Sequence, residues 1–77
     1  MARLPKISGN KAIQVLEGFG FVKIRQKGSH VILKKTSSAE NIGCVVPVHK
    51  ELAEGTLRGI LRQARISNKE FVEKFYH

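Results

Sequence analysis

The chain has 77 residues, 42% hydrophobic and 26% charged, and 14 lysines and arginines against six acidic residues give it a formal charge of +8. That length is expected to form a single domain over residues 1–77, small enough that a bound partner could matter for stability. No apolar run approaches the roughly 20 residues that span a bilayer, and Met1-Ala2-Arg3-Leu4-Pro5 is too short and polar for a secretory signal. A cytoplasmic protein that does not engage membranes is the expectation.

The charge excess favours phosphate polymers or an acidic protein as partner. Cys44 is the lone cysteine, so neither an internal disulfide nor a Cys-x-x-Cys pair can form. Flanked by Gly43 and Val45-Val46, it reads as a small buried residue.

In chain order, Ser8 is a plausible N-cap, and Ala12, Ile13, Leu16 and Phe19 recur at helical spacing before Gly18 and Gly20 end the helix. Phe21 to Gln26 alternates, with Val22 and Ile24 opposed to Lys23 and Arg25. Ser29 to Lys35 alternates again, with Val31 and Leu33 opposed to His30, Ile32 and Lys34. A two-residue turn at Lys27-Gly28 would pair Gln26 with Ser29, Arg25 with His30, Ile24 with Val31, Lys23 with Ile32 and Val22 with Leu33. That register sends Val22 and Ile24 to the core and makes Arg25 the direct cross-strand neighbour of His30.

Thr36 to Asn41 reads as a polar loop and Ile42 to Val48 as a third strand, with Pro47 marking an edge or a strand end. Leu57, Ile60, Leu61 and Ala64 form a helical core stripe, leaving Arg58, Arg62 and Arg65 on a solvated face. Ser67-Asn68-Lys69-Glu70 matches a capping box and opens a last short helix that packs Phe71, Val72 and Phe75 inward. The expected order is α-β-β-β-α-α.

Among three histidines, His30 is singled out because the hairpin sets it on a basic face outside the core. The unperturbed pKa of histidine lies nearest neutrality, so the side chain can take or give a proton there. Lys23, Arg25, Lys27 and Lys34 are the cations expected to hold a phosphate beside it. His49, at a strand end, is read as structural, and His77 as a terminal residue. Ser29 and His30 are strand neighbours that point to opposite faces, which argues against a Ser-His nucleophile pair. With no Asp, scattered Glu, no His-Glu-x-x-His and no phosphate-binding glycine loop, neither a metal site nor a cofactor is expected.

Gly20-Phe21-Val22, Arg25-Gln26-Lys27-Gly28-Ser29-His30, Val46-Pro47-Val48-His49 and Gly55-Thr56-Leu57-Arg58-Gly59-Ile60-Leu61-Arg62-Gln63-Ala64 together resemble the HicA mRNA interferase toxins. The resemblance runs from about Ser8 to Phe75. It implies an α+β fold like a double-stranded-RNA-binding domain, with a three-stranded antiparallel sheet backed by helices. It also implies endoribonuclease activity on messenger RNA and neutralisation by a cognate HicB antitoxin. The catalytic histidine of the family follows a Gly-Ser pair, which here makes it His30. Gly28 and Ser29 then join Lys23, Arg25, Lys27 and Lys34 as expected RNA contacts. Glu54 stands where the family often has proline, Arg65 where it often has glycine, and the segment after His49 is shorter than in many relatives. The main alternative is a non-catalytic RNA-binding module of the same fold.

Overall fold

Ser8 opens helix α1 (Gly9–Gly18), its hydroxyl accepting from the Lys11 N–H at 3.0 Å. The computed structural model in which this is seen describes residues 3–37 and 40–77. At the far end of α1, the Gly20 N–H donates to the Glu17 carbonyl (3.0 Å) and the Phe21 N–H to that of Leu16 (3.2 Å). This pair of bonds is a Schellman closure. It drops Phe21 into the core and fixes where β1 (Val22–Lys27) begins.

β1, β2 (His30–Thr36) and β3 (Asn41–Pro47) form one antiparallel sheet in the order β1-β2-β3. Helices α2 (Glu54–Ala64) and α3 (Asn68–Phe75) follow. Of the loop expected at Thr36 to Asn41, Ser38 and Ala39 lie outside the described residues, as do Met1 and Ala2 at the start. The helices cover one face of the sheet. Val31 and Leu33 of β2 and Cys44 and Val46 of β3 are buried there with Leu16, Leu57, Leu61 and Phe71. The α-β-β-β-α-α order and helix-backed sheet agree with the fold expected from the sequence.

α2 lies against β3, and its Gln63 side-chain oxygen accepts from the Val45 N–H at 3.2 Å, which closes that edge of the sheet. β1 forms the other edge, with no strand beyond it among the described residues. The capping box of α3 is complete: Ser67 and Glu70 each accept from the other's backbone N–H, at 3.0 and 2.9 Å. Those contacts with Ser67 hold the Glu70 carboxyl below its ordinary range. Cys44 is buried, and desolvation pushes its thiol up to about 11, so it carries little thiolate near neutrality.

The hairpin departs from the expected register. Its two-residue loop is Gly28-Ser29, not Lys27-Gly28. Gly28 has φ 61 and Ser29 does not share the positive sign, which fits a II′ turn with glycine at the first central position. The pairs are Lys27 with His30, Gln26 with Val31, Arg25 with Ile32, Lys23 with Leu33 and Val22 with Lys34, and Ile24 is an unpaired bulge residue. Val22 and Ile24 are therefore surface residues, 61% and 54% exposed, rather than core. The physical reason lies at the edge: the helices pack over β2 and β3, so nothing compels β1 to bury an apolar row.

Candidate nucleic-acid interface

The turn that starts β2 positions the principal candidate, His30. Gly28-Ser29 is braced by the Gln26 side-chain amide, which donates to the Gly28 carbonyl at 2.9 Å. Across the sheet, the Val48 N–H donates to the Ser29 carbonyl at 2.6 Å. His30 follows directly, between Lys27 of β1 and Pro47 of β3. In the antiparallel ladder the Val48–Ser29 bond makes His30–Pro47 a pair without its own backbone bonds. That is the one kind of pairing a proline tolerates without leaving a donor unmet.

Strand alternation places His30, Ile32 and Lys34 on the face away from the helices, because Val31 and Leu33 fill the other. Cross-strand pairing adds Lys27 and Arg25 to that open face, and all four charged or titratable side chains are exposed. Arg25 sits opposite Ile32, so the expected direct Arg25–His30 pair is replaced by Lys27–His30. Lys23 belongs with Leu33 on the opposite face. The bulge at Ile24 moved it there, so the sequence-based grouping of Lys23 with His30 does not hold.

The open face is not purely cationic. Ile32, half-buried, lies between Arg25 and the partly exposed Val45, and Val22 stands opposite Lys34. Its electrostatics are one-sided nonetheless. No carboxylate occurs in any strand, and the ion pairs of the described residues, Arg58–Glu54 and Arg65–Glu40, both lie on or beside α2. Lys27, Arg25 and Lys34 are left to hold an external anion.

The neighbouring concavity of about 500 Å³, lined by residues 3–6 and 51–54, does not contain His30. Among the described residues, no three His, Cys, Asp or Glu side chains gather as a metal site. His49, read from the sequence as structural, serves the fold through its carbonyl, which accepts from the Gly9 N–H at 2.9 Å, while its imidazole is exposed. Pro47, two residues before it, is the cross-strand partner of His30, a relation visible only once the ladder is counted.

A family model described as the HicA toxin of bacterial toxin–antitoxin systems matches residues 9–66. The chain belongs to that family. The match begins with α1, takes in the whole sheet and ends just past the closure of α2, so every residue of the open face falls inside it. Membership makes the protein the toxin half of a toxin–antitoxin pair, with a cognate antitoxin as partner. No curated protein matches the chain. No helix among the described residues is long and apolar enough to cross a membrane.

Proposed function

We propose that this HicA-family toxin is an endoribonuclease that cuts messenger RNA and so stops translation, with a HicB-type antitoxin as its neutralising partner. The observation that supports this best is the placement of His30: exposed on the open sheet face, with Lys27 opposite and Arg25 and Lys34 alongside. A flat basic face suits a single-stranded backbone, and half-buried Ile32 and exposed Val45 offer apolar contact.

His30 acts on the ribose. It takes the proton of a 2′-hydroxyl, whose oxygen attacks the adjacent phosphorus and displaces the 5′-oxygen, which takes up a proton and departs as a hydroxyl, while Lys27 and Arg25 hold the phosphate and offset its developing charge. Gly28 and Ser29 bring the chain close to the backbone at the turn. No step calls for a metal, because the ribose supplies the nucleophile. A single positioned acid-base group contributes roughly 10²–10⁴-fold, which makes a slow enzyme.

His30→Ala should lower RNA cleavage at least about 10²-fold and abolish growth arrest. Its thermal unfolding should stay within a few degrees of wild type, since an exposed strand residue shifts stability by about 0.5 kcal/mol. Cleavage should persist in excess EDTA and leave 2′,3′-cyclic phosphate and 5′-hydroxyl ends. Full toxicity of a folded His30→Ala protein would remove the claim. Binding of RNA by the wild-type protein without any cutting would instead favour a non-catalytic module.

A further inference from the structure

β3 keeps its strand geometry past Pro47. The Val48 N–H points toward β2, donating to the Ser29 carbonyl at 2.6 Å, and the His49 carbonyl points away from it, accepting from the Gly9 N–H at 2.9 Å. Backbone groups that turn alternately to the two sides belong to an extended chain, so the side chains alternate between faces there too. Val48 obeys this, packing partly buried against the core beneath the sheet, as Val46 does. Pro47, itself buried, shares the face of His30 as its cross-strand partner, and His49, two residues on and exposed, follows it by the same alternation.

His30 stands opposite Pro47, and the Val48–Ser29 bond carries the contact one residue further, so the chain at His49 runs out beside the Gly28-Ser29 turn. Gly28 has no side chain, and the space where one would lie is open, with nothing within 4 Å. His49 stands two residues past the cross-strand partner of His30, and diagonal neighbours of that kind in a regular ladder lie about 7–8 Å apart. Neither imidazole is held in an ion pair among the described residues. Two imidazoles at that separation can flank one phosphodiester, whose attacking and departing oxygens lie on opposite sides of phosphorus.

We propose that His49 is the second catalytic residue, the general acid for the departing oxygen; the proposal rests on the ribonuclease reading above. The 2′-hydroxyl proton passes to neutral His30 as the 2′-oxygen–phosphorus bond forms. The phosphorus–5′-oxygen bond breaks, and protonated His49 delivers its proton to that oxygen. The products are a 2′,3′-cyclic phosphate and a 5′-hydroxyl, with one proton gained by His30 and one lost by His49. Lys27, beside His30 and one residue before the Gly28 gap, offsets charge on the non-bridging oxygens.

The test compares an RNA oligonucleotide with its twin carrying sulfur in place of the 5′-oxygen at the cut site. A thiolate departs without protonation, so only a missing acid is rescued. His49→Ala should cut the oxygen substrate about 10²-fold or more slowly and the sulfur substrate within a few-fold of wild type. His49→Gln, which keeps a polar side chain but cannot transfer a proton, should behave the same way. His30→Ala should remain slow on both. Circular dichroism melting checks that the variants fold, and the backbone carbonyl that meets Gly9 is retained in each. Wild-type cleavage of the oxygen substrate by either His49 variant, or equal loss on both substrates, would overturn the assignment. A wild-type protein that cuts neither RNA would sink the ribonuclease reading, and this inference with it.

Discussion

Arg65 holds a backbone conformation that an L side chain reaches only at a cost. It ends α2 at φ 60 and ψ 41, where the left-handed region disfavours a Cβ by roughly 1–2 kcal/mol. The conformation is required because the Arg65 N–H donates to the Arg62 carbonyl (3.3 Å) and the Ile66 N–H to that of Leu61 (3.0 Å). These are the same two bonds that close α1, where Gly20 takes the left-handed position. The Arg65–Glu40 ion pair is exposed on both sides and offsets only about 0–1 kcal/mol of the cost. Arg65→Gly should therefore raise stability by about 0.5–1 kcal/mol, read as a higher melting temperature. A lower one would mean that the Glu40 contact outweighs the strain. The other departure from the family pattern, Glu54, is compatible with its place: it starts α2, where a carboxylate meets the positive end of the helix, and it pairs with Arg58 one turn on.

At the scale of elements, the contact between α1 and the end of β3 ties the helix to the proposed active site. A Cβ at Gly9 would fall 2.0 Å from the Pro47 carbonyl oxygen, and backbone cannot yield there as a flexible side chain would. Gly9→Ala should cost about 1–3 kcal/mol, measured by denaturant unfolding. Because the same junction holds His49 extended, RNA cleavage should fall further than the folded fraction does. Loss in proportion to unfolding alone would show that the junction is only structural. The contrast with the hairpin explains what could be read from the sequence. Ser8, the Ser67–Glu70 box and the Leu57–Ala64 stripe are local signals, each decided within a few residues, and the structure agrees with them. Alternation in β2 was equally legible, since Val31 and Leu33 are buried and His30 and Lys34 are not. Register was not. Moving the turn from Lys27-Gly28 to Gly28-Ser29 shifts each pairing by two residues, which preserves the face of Arg25 and Lys27 while changing their partners. The bulge at Ile24 then reverses the faces of Val22 and Lys23, and an edge strand offers no burial pattern from which to foresee it.

Across the whole molecule, charge is segregated by element type. The strands carry Lys23, Arg25, Lys27, Lys34 and Lys35 with no carboxylate, while the acidic residues all lie in helices and connecting segments. Binding to single-stranded RNA should accordingly weaken with salt, each phosphate contact adding about 0.7 to the slope of log affinity against log salt. In a His30→Ala background, which leaves the RNA uncut, Arg25→Gln should reduce that slope by about 0.7. Arg58→Gln, on α2 and already paired with Glu54, should leave it unchanged. Equal reductions by the two variants would place RNA on no particular face and would remove the open sheet as the interface.

The free margin of β1 gives its cations a second consequence, for the behaviour of many copies in solution. A strand with no neighbour beyond it offers a row of backbone donors and acceptors on which another chain can build a continuing sheet. Val22 and Ile24, both exposed on that strand, would favour such growth. Lys23, Arg25 and Lys27 oppose it by mutual repulsion between copies, and the bulge at Ile24 breaks the regular spacing that stacking needs. Neutralising Arg25 and Lys27 to weaken the hold on RNA would thus also lower the barrier to self-assembly, so two of the three side chains that keep copies apart also set the nucleic-acid grip, while Lys23, on the other face, serves solubility alone.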